Sequence, residues 1–393
     1  LIGVARCGAI AIVLLREIIV PGAAHAQTGF QLTPSLSTTE AYDSNVFFAA
    51  SNPLADHVTR VTPSLETQYL SRPLTFTGRY TLDAERFADH PDLTAIDDRQ
   101  NAAVDFLYRP SGRSSLDADA SFTRTHTPGE LNAQNGFSLT RALAERVRVH
   151  PTFTRQLDAI TSATVEYSFT EDSLPWLAGG TRLRTHTVSF GAQRRLSTRG
   201  TVTARYEAQR FAFGPATVTT SQALIVGWTH DLTRQTGFAL SGGPRVTNGS
   251  VASDISASIH RRARVLDLSL AGARTRTTLI GLDGTADVES VTGAVRWDAS
   301  RSLQMRIEPG VFRSAQLGLQ SRSYQVAFRA SRLLTKELSI VAEYDVSSQH
   351  GNVYPTIGFN AISRHTASIS VVGARPSNPR SAQPSTDQSS TER

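Results

Sequence analysis

Between residues 30 and 374 apolar and polar positions take turns in short segments along the chain. Leu74, Phe76, Gly78, Tyr80 and Leu82 share one side of such a segment, and Thr75, Thr77, Arg79, Thr81 and Asp83 share the other. Val202, Ala204, Tyr206 and Ala208 stand against Thr201, Thr203, Arg205, Glu207 and Gln209, and Tyr324, Val326, Phe328 and Ala330 against Gln325, Arg329 and Ser331. Leu338, Ile340, Ala342, Tyr344 and Val346 repeat the pattern against Ser339, Glu343 and Asp345. Side chains of an extended strand alternate between its faces, whereas an amphipathic helix repeats near every 3.6 residues. The pattern therefore predicts strands with two unlike surroundings. They fall at 30–42, 58–70, 74–86, 97–109, 115–126, 145–156, 160–171, 182–196, 200–213, 217–232, 235–247, 250–262, 264–276, 286–299, 302–314, 319–333, 337–349 and 360–374. Within 235–276, Gly242-Gly243-Pro244 and Asn248-Gly249 interrupt the pattern.

The connections alternate in length. Short ones stand at Ser71-Arg72-Pro73, Pro110 to Arg113, Leu157-Asp158-Ala159, Ser197-Thr198-Arg199, Thr233-Arg234, Ser300-Arg301 and Thr335-Lys336. The long ones, 43–57, 87–96, 127–144, 172–181, 277–285 and 350–359, are rich in Asp, Asn, Gly, Pro and Thr. An even strand number, tight turns at one end and long loops at the other predict an all-β fold: a closed antiparallel transmembrane barrel of 16–18 strands, with short periplasmic turns, long extracellular loops and both termini periplasmic. Tyr69, Tyr108, Trp228 and Trp297 fall on apolar faces close to the short turns, where an interfacial aromatic girdle belongs. Phe169, Phe211 and Phe213 are the expected girdle at the other interface.

The first residues fit this destination. Arg6, an apolar stretch from Gly8 to Leu15 and on through Ile18 to Val20, a break at Pro21-Gly22 and Ala24-His25-Ala26 before Gln27 read as a secretory signal over residues 1–26. The barrel is expected over 27–374, and the Ser-, Pro-, Thr- and Gln-rich stretch 375–393 as a disordered tail. Cys7 is the sole cysteine and lies in the signal, which leaves the processed chain without disulfide or thiolate chemistry. The net charge of +6 becomes +5 on removal of Arg6, Arg16 and Glu17. Basic residues are almost all arginine, Lys336 being the one lysine, and they interleave with acids along the whole chain. Nucleic acid is therefore not an expected partner; outer-membrane lipid, lipopolysaccharide and the barrel-assembly machinery are.

The polar faces carry the candidate pore lining: Glu66, Arg79, Asp83, Asp105, Asp119, Arg205, Glu207, Arg296, Asp298, Arg306, Glu308, Arg329, Glu343 and Asp345, with Asp117 and Asp267 beside them. Mixed charge across a bore of about 18 strands suits hydrated polar solutes, since barrels of that size enclose water. Few aromatics share these faces, which does not favour a sugar-stacking slide. The loop residues Asp43, Asn45, Asp56, Asp89, Asp92, Asp97 and Asp98 fit no calcium loop and read as turn chemistry. The histidines lack metal-ligand spacing, so neither metal nor cofactor is expected. A hydrolase would need a Ser–His pair, and no Gly-x-Ser-x-Gly elbow is written in the chain. An adhesive barrel would use its long loops, with Trp176 of Leu174-Pro175-Trp176-Leu177 as the contact. A non-enzymatic channel is the leading expectation.

Two N-terminal stretches carry a resemblance. Ser37 to Phe47 contains Tyr42-Asp43-Ser44-Asn45-Val46, and Asp56-His57-Val58-Thr59-Arg60-Val61-Thr62-Pro63 follows. These resemble the opening of the β-barrel porin 2 family, with a Tyr-x-(Asp)-Asn-(Val/Ile) element closing the first strand and an Asp-x-(Val/Ile)-x-x-x-x-Pro element opening the second. Recurrent turns (Leu196-Ser197-Thr198-Arg199, Leu232-Thr233-Arg234, Leu334-Thr335-Lys336) resemble it as well. The resemblance implies an outer-membrane barrel associated with exopolysaccharide export or exosortase systems, and export components as partners. The last strand closes on Val371-Val372-Gly373 rather than on the terminal aromatic residue usual in such barrels.

Overall fold

The computed structural model describes residues 29–374 apart from 133–134, 137–140, 176–180, 215–216, 281–283, 317–318 and 353–360. The expected signal, the C-terminal tail and Trp176 lie outside the described residues. Eighteen strands run in chain order: β1 Phe30–Asp43, β2 Asp56–Leu70, β3 Leu74–Phe87, β4 Ala95–Ser111, β5 Ser114–Thr125, β6 Ala144–Gln156, β7 Thr161–Leu174, β8 Thr181–Arg195 and β9 Gly200–Phe213 make one half. β10 Thr217–Asp231, β11 Thr236–Thr247, β12 Ser250–Arg262, β13 Leu266–Thr278, β14 Thr285–Asp298, β15 Leu303–Gln316, β16 Leu319–Leu333, β17 Leu338–Asn352 and β18 Ile362–Ala374 make the other. Each is antiparallel to its neighbours in sequence, and β1 pairs with β2 on one side and β18 on the other. The sheet is thus a closed barrel with no free edge, which removes the aggregation hazard of unpaired strands.

Register fixes which side chains look outward. Phe76, Phe106 and Ala118 stand in one cross-strand row and Tyr206, Leu224 and Phe190 in another. Phe190, Leu224, Val226, Leu270, Val291 and Ile369 are all more than half exposed. A sheet whose apolar side is its exposed side is built for hydrocarbon, the reverse of a water-soluble sandwich. Tyr108, Trp228 and Trp297 also stand on this outward face, 39–47% exposed. Tyr69 joins them opposite Phe30.

Phe169 is outward, paired with His186, but Phe211 and Phe213 do not join it. They face the interior at 2% and 5% exposure and pack with Leu183. Their parity is that of Arg205, Glu207 and Gln209, and alternation overrides the affinity of an aromatic ring for an interface.

Most turns of the short end share one device. Ser71, Asp158, Ser197, Thr233, Ser300 and Thr335 each open a turn, and the side-chain oxygen of each accepts backbone N–H groups two or three residues on. This is the Asx- or ST-turn, and it explains why Leu-Ser and Leu-Thr pairs recur at strand ends. The connection between β11 and β12 is tight although it lies at the opposite end. Asn248 and Gly249 both take positive φ, 46° and 81°, as a two-residue hairpin demands. Further along β11, a Cβ on Gly243 would collide with the Leu224 carbonyl oxygen, so this close crossing of β10 and β11 requires glycine.

Candidate pore and its constriction

Every candidate lining residue lies on the inward face, because each pairs in register away from the apolar rows. They divide into two environments. Toward the short turns and mid-barrel the inward charges touch water. Asp298 is 49% exposed at its side chain, Glu308 40% and Arg79 38%. Their pairs are local: Arg79 with Glu66 at 2.7 Å, Arg306 with Glu308 at 2.6 Å, Arg329 with Glu343 at 2.7 Å and Arg296 with Asp298 at 3.4 Å. Asp105 and Asp119 face each other directly across β4 and β5, with Asp117 two residues along. His150 meets Asp119 at 2.9 Å and Arg148 meets it at 3.8 Å, which offsets the repulsion. Asp345 shares the inward face of β17 with Glu343. Among the described residues no group of three or more His, Cys, Asp and Glu could hold a metal ion.

Toward the long loops the interior is crossed. The connection from β5 to β6 carries a one-turn helix, Pro128–Leu131, and Leu131 packs with Ala144 and Leu174 of its own side and with Leu279, Ile280, Ala286 and Val288. The last two belong to β14, eight strands further round from β6 in an eighteen-stranded ring and so nearly opposite. Asn132 Oδ1 accepts the Ile280 N–H at 3.2 Å, and Asn135 Nδ2 donates to the Thr278 carbonyl at 3.4 Å. Gly136 lies against the inward ring of Phe312, so closely that a Cβ there would collide with it. The segment is a bridge from wall to wall.

Charge holds the bridge at its near end. Arg146 grips Asp172 with two bonds of 2.6 and 3.0 Å and donates to the Leu131 carbonyl at 2.5 Å. Glu130 pairs with Arg99 at 2.9 Å and accepts from Thr125 at 3.1 Å. Arg99 also reaches Asp83 at 2.8 Å, and Arg60 binds Glu85 at 2.6 Å. Arg141, at the far end of the connection, stacks over Phe87 at 4.8 Å, and its backbone N–H donates to Phe47 in the β1–β2 connection at 3.3 Å.

That β1–β2 connection also turns inward, burying Val46 beside Val58 and Phe87, and Phe48 beneath the Arg364 guanidinium. Asp43 anchors it through Arg364 at 2.6 Å, and Asn45 donates to the Ser363 carbonyl at 3.1 Å. Asp56 holds the β3–β4 connection by accepting N–H bonds from Ala88, Asp89 and His90, each at 3.0 Å. The loop acids Asp43 and Asp56, read from sequence as turn chemistry, are thus loop anchors.

On the opposite wall Arg245, 2% exposed, lies between Glu207 at 2.7 Å and Asp254 at 2.5 Å, and donates further to Gln209 and Ser221. Arg205 reaches Glu207 at 3.6 Å and Glu166 at 3.9 Å. Asp83 and Glu207, 17% and 9% exposed at their side chains, are held by these ion pairs. Their partners Arg60, Arg99, Glu85, Arg245 and Asp254 escaped the sequence reading, as did Arg146, Arg148 and Glu166. Parity alone puts these on the inward face, but nothing local marks which strand or loop supplies each counter-charge.

No family model matches the chain, and no curated protein is similar to it in sequence. The resemblance of the N-terminal motifs therefore stands without a family assignment. Solved structures do align over most of the length. OccK7 (OpdD) of Pseudomonas aeruginosa superposes with a TM-score of 0.50 at 10% identity, over 90% of this chain and 100% of that one. OccK9 (OpdG) of the same organism follows at 0.48 and 10%, covering 88% and 98%. The ferric enterobactin receptor PfeA, also from P. aeruginosa, gives 0.47 and 10%, covering 89% and 82%. At such identity the likeness to OccK7 speaks for architecture alone: the chain folds as an eighteen-stranded β-barrel of the outer-membrane kind.

Proposed function

We propose that this protein is a non-enzymatic channel of a Gram-negative outer membrane that passes small, hydrated polar solutes. The short turns and both termini face the periplasm, the long loops face outside, and the rings of Tyr69, Tyr108, Trp228 and Trp297 sit at the periplasmic interface. The observation that carries the reading is the wetted, mixed-charge lumen below the bridge, with Arg79, Arg148, Glu308 and Asp298 reaching into water. A barrel of 18 strands is too wide for side chains alone to fill. The bridge then acts as the constriction that sets the size limit. Service to exopolysaccharide secretion rests on the N-terminal motif alone, and a mouth crossed from wall to wall favours small solutes over a polymer.

The test is single-channel recording of the refolded protein in a planar bilayer. Stepwise conductance is the expected result. Silent membranes holding a protein whose heat-modifiable migration shows a folded barrel would overturn the channel and leave a closed barrel whose loops engage a partner.

A further inference from the structure

The outward face near the long-loop end carries charge where a lipid-facing wall should be neutral. Register aligns Arg274, Glu289, Arg313, Arg322 and His350 in one unbroken cross-strand row from β13 to β17, each directly opposite the next. Glu289 lies between two arginines, 3.8 Å from Arg274 and 3.6 Å from Arg313. Arg313 and Arg322 then stand side by side, and among the described residues Arg322 makes no ion pair. Like charges directly opposed on a sheet are destabilising unless something sits between them. The inward row Arg296, Arg306 and Arg329 meets the same difficulty with Asp298, Glu308 and Glu343, one acid for each arginine. The outward row has one acid for three arginines and a histidine, and it calls for an anion from outside the protein.

Below the β13–β14 end of that row lies an apolar groove of about 380 Å³, lined from β11 to β14. Phe238, Leu240, Ile259, Leu270 and Val291 form its sides, and the small Ala257 and Gly272 leave it open. On β13 the outward positions run Leu270, Gly272, Arg274, so the groove ends where the charged row begins, about 7 Å further along the strand. An anion-seeking row adjoining an apolar groove is the footprint of a phosphorylated lipid.

We propose that this face binds one lipid A moiety of lipopolysaccharide, with phosphates on Arg274, Arg313 and Arg322 and an acyl chain in the groove. The choice of lipid A follows from the breadth of the row. Arg274 and Arg322 are three strands apart, roughly 14 Å at the usual strand spacing, which is wider than one phosphate and suits a headgroup carrying two. Arginine is suited to the task, since its guanidinium binds phosphate through paired hydrogen bonds. The assignment rests on the reading above that the long-loop end faces outside, where lipopolysaccharide resides.

Native mass spectrometry of the full chain in detergent tests the site, with bis-phosphorylated lipid A, dephosphorylated lipid A, phosphatidylglycerol and inorganic phosphate as probes. The wild type is expected to retain bis-phosphorylated lipid A in preference to the other three. The double variant Arg313→Gln/Arg322→Gln should lose about tenfold or more in apparent affinity, the worth of charge-assisted hydrogen bonds. Gly272→Leu should weaken retention independently, by filling the groove. A Cβ at that position meets nothing nearer than the Ser290 carbonyl at 3.7 Å, so the barrel tolerates the change. Equal retention by wild type and both variants overturns the proposal. So does equal retention of phosphatidylglycerol or of dephosphorylated lipid A, or displacement of lipid A by inorganic phosphate. Retention is read in micelles and the channel in bilayers, so failure of one is distinguishable from failure of the other.

Discussion

The two ends of this barrel are fastened by different means. At the short-turn end, Ser71, Asp158, Ser197, Thr233, Ser300 and Thr335 each satisfy backbone N–H groups two or three residues away, in full view of water. At the long-loop end, ion pairs join residues far apart in sequence: Asp43 with Arg364, Arg99 with Glu130, Arg146 with Asp172, and Glu207 with Arg245. The first kind of fastening closes turns and leaves the lumen clear. The second ties inward-turned loops to the wall at Asp43, Glu130 and Leu131, and binds strand to strand at Glu207. Residue type does not separate the two uses of charge, since Arg79 and Arg245 are both inward arginines next to a glutamate. Burial does: Arg79 is 38% exposed at its side chain and Arg245 3%.

That contrast predicts its own largest test. Arg245→Ala strands Glu207 and Asp254 in a buried site, and removing one partner of such a cluster costs about 3–5 kcal/mol. Arg79→Ala removes a half-wetted pair worth about 0–1 kcal/mol. Urea unfolding in lipid vesicles, followed by tryptophan fluorescence, measures both. Equal losses for the two variants would show that burial does not sort the lumenal charges.

The bridge supplies the next test. Arg146→Ala releases the Leu131 carbonyl and leaves Asp172, 5% exposed, without its clamp. The near anchor of the bridge loosens, so single-channel conductance should rise and its closures should grow more frequent. Unchanged conductance would mean that the bridge does not define the narrowest point.

A smaller effect separates wetted from buried charge by function. Reversing wetted residues, Arg79→Glu with Arg148→Glu, changes the charge seen by passing ions and should move the reversal potential in a KCl gradient toward cation selectivity. Neutralising Glu85, which is held by Arg60 and approached by Arg141 at 3.9 Å, should lower stability and leave selectivity nearly where it was. A selectivity shift from the Glu85 variant would place water where the ion pairs now close the wall.

These differences also explain what the chain discloses before it is folded. The strands are legible because alternation is a local property, and the candidate lining residues all share the face opposite the apolar rows since parity admits one assignment per strand. Recurrent Leu-Ser and Leu-Thr pairs announce turns because the bonds they make span two or three residues. Phe211 and Phe213 face inward against the expectation of a girdle because parity, which they share with Glu207, outweighs the chemistry of their rings. Nothing local could announce the bridge. Leu131 finds Val288 and Asn132 finds Ile280 more than 140 residues later, and only barrel closure brings β6 and β14 face to face.

The smallest effect belongs to the wetted end. Asp158 accepts N–H bonds from Ile160 and Thr161, and these bonds hold its carboxyl below the ordinary aspartate value. The sign follows from linkage: a carboxylate whose folded value is depressed adds stability above its unfolded value, near 3.9, and that contribution fades as pH falls through the lower folded value. Asp158→Ala should therefore weaken the barrel slightly at neutral pH, and the gap between variant and wild type should close in strong acid. Because this side chain is fully exposed, the gap should be the narrowest of the series. A loss approaching that of Arg245→Ala would break the distinction on which the others depend, since a turn at the open end would then hold the barrel as firmly as the buried clamp at the closed one.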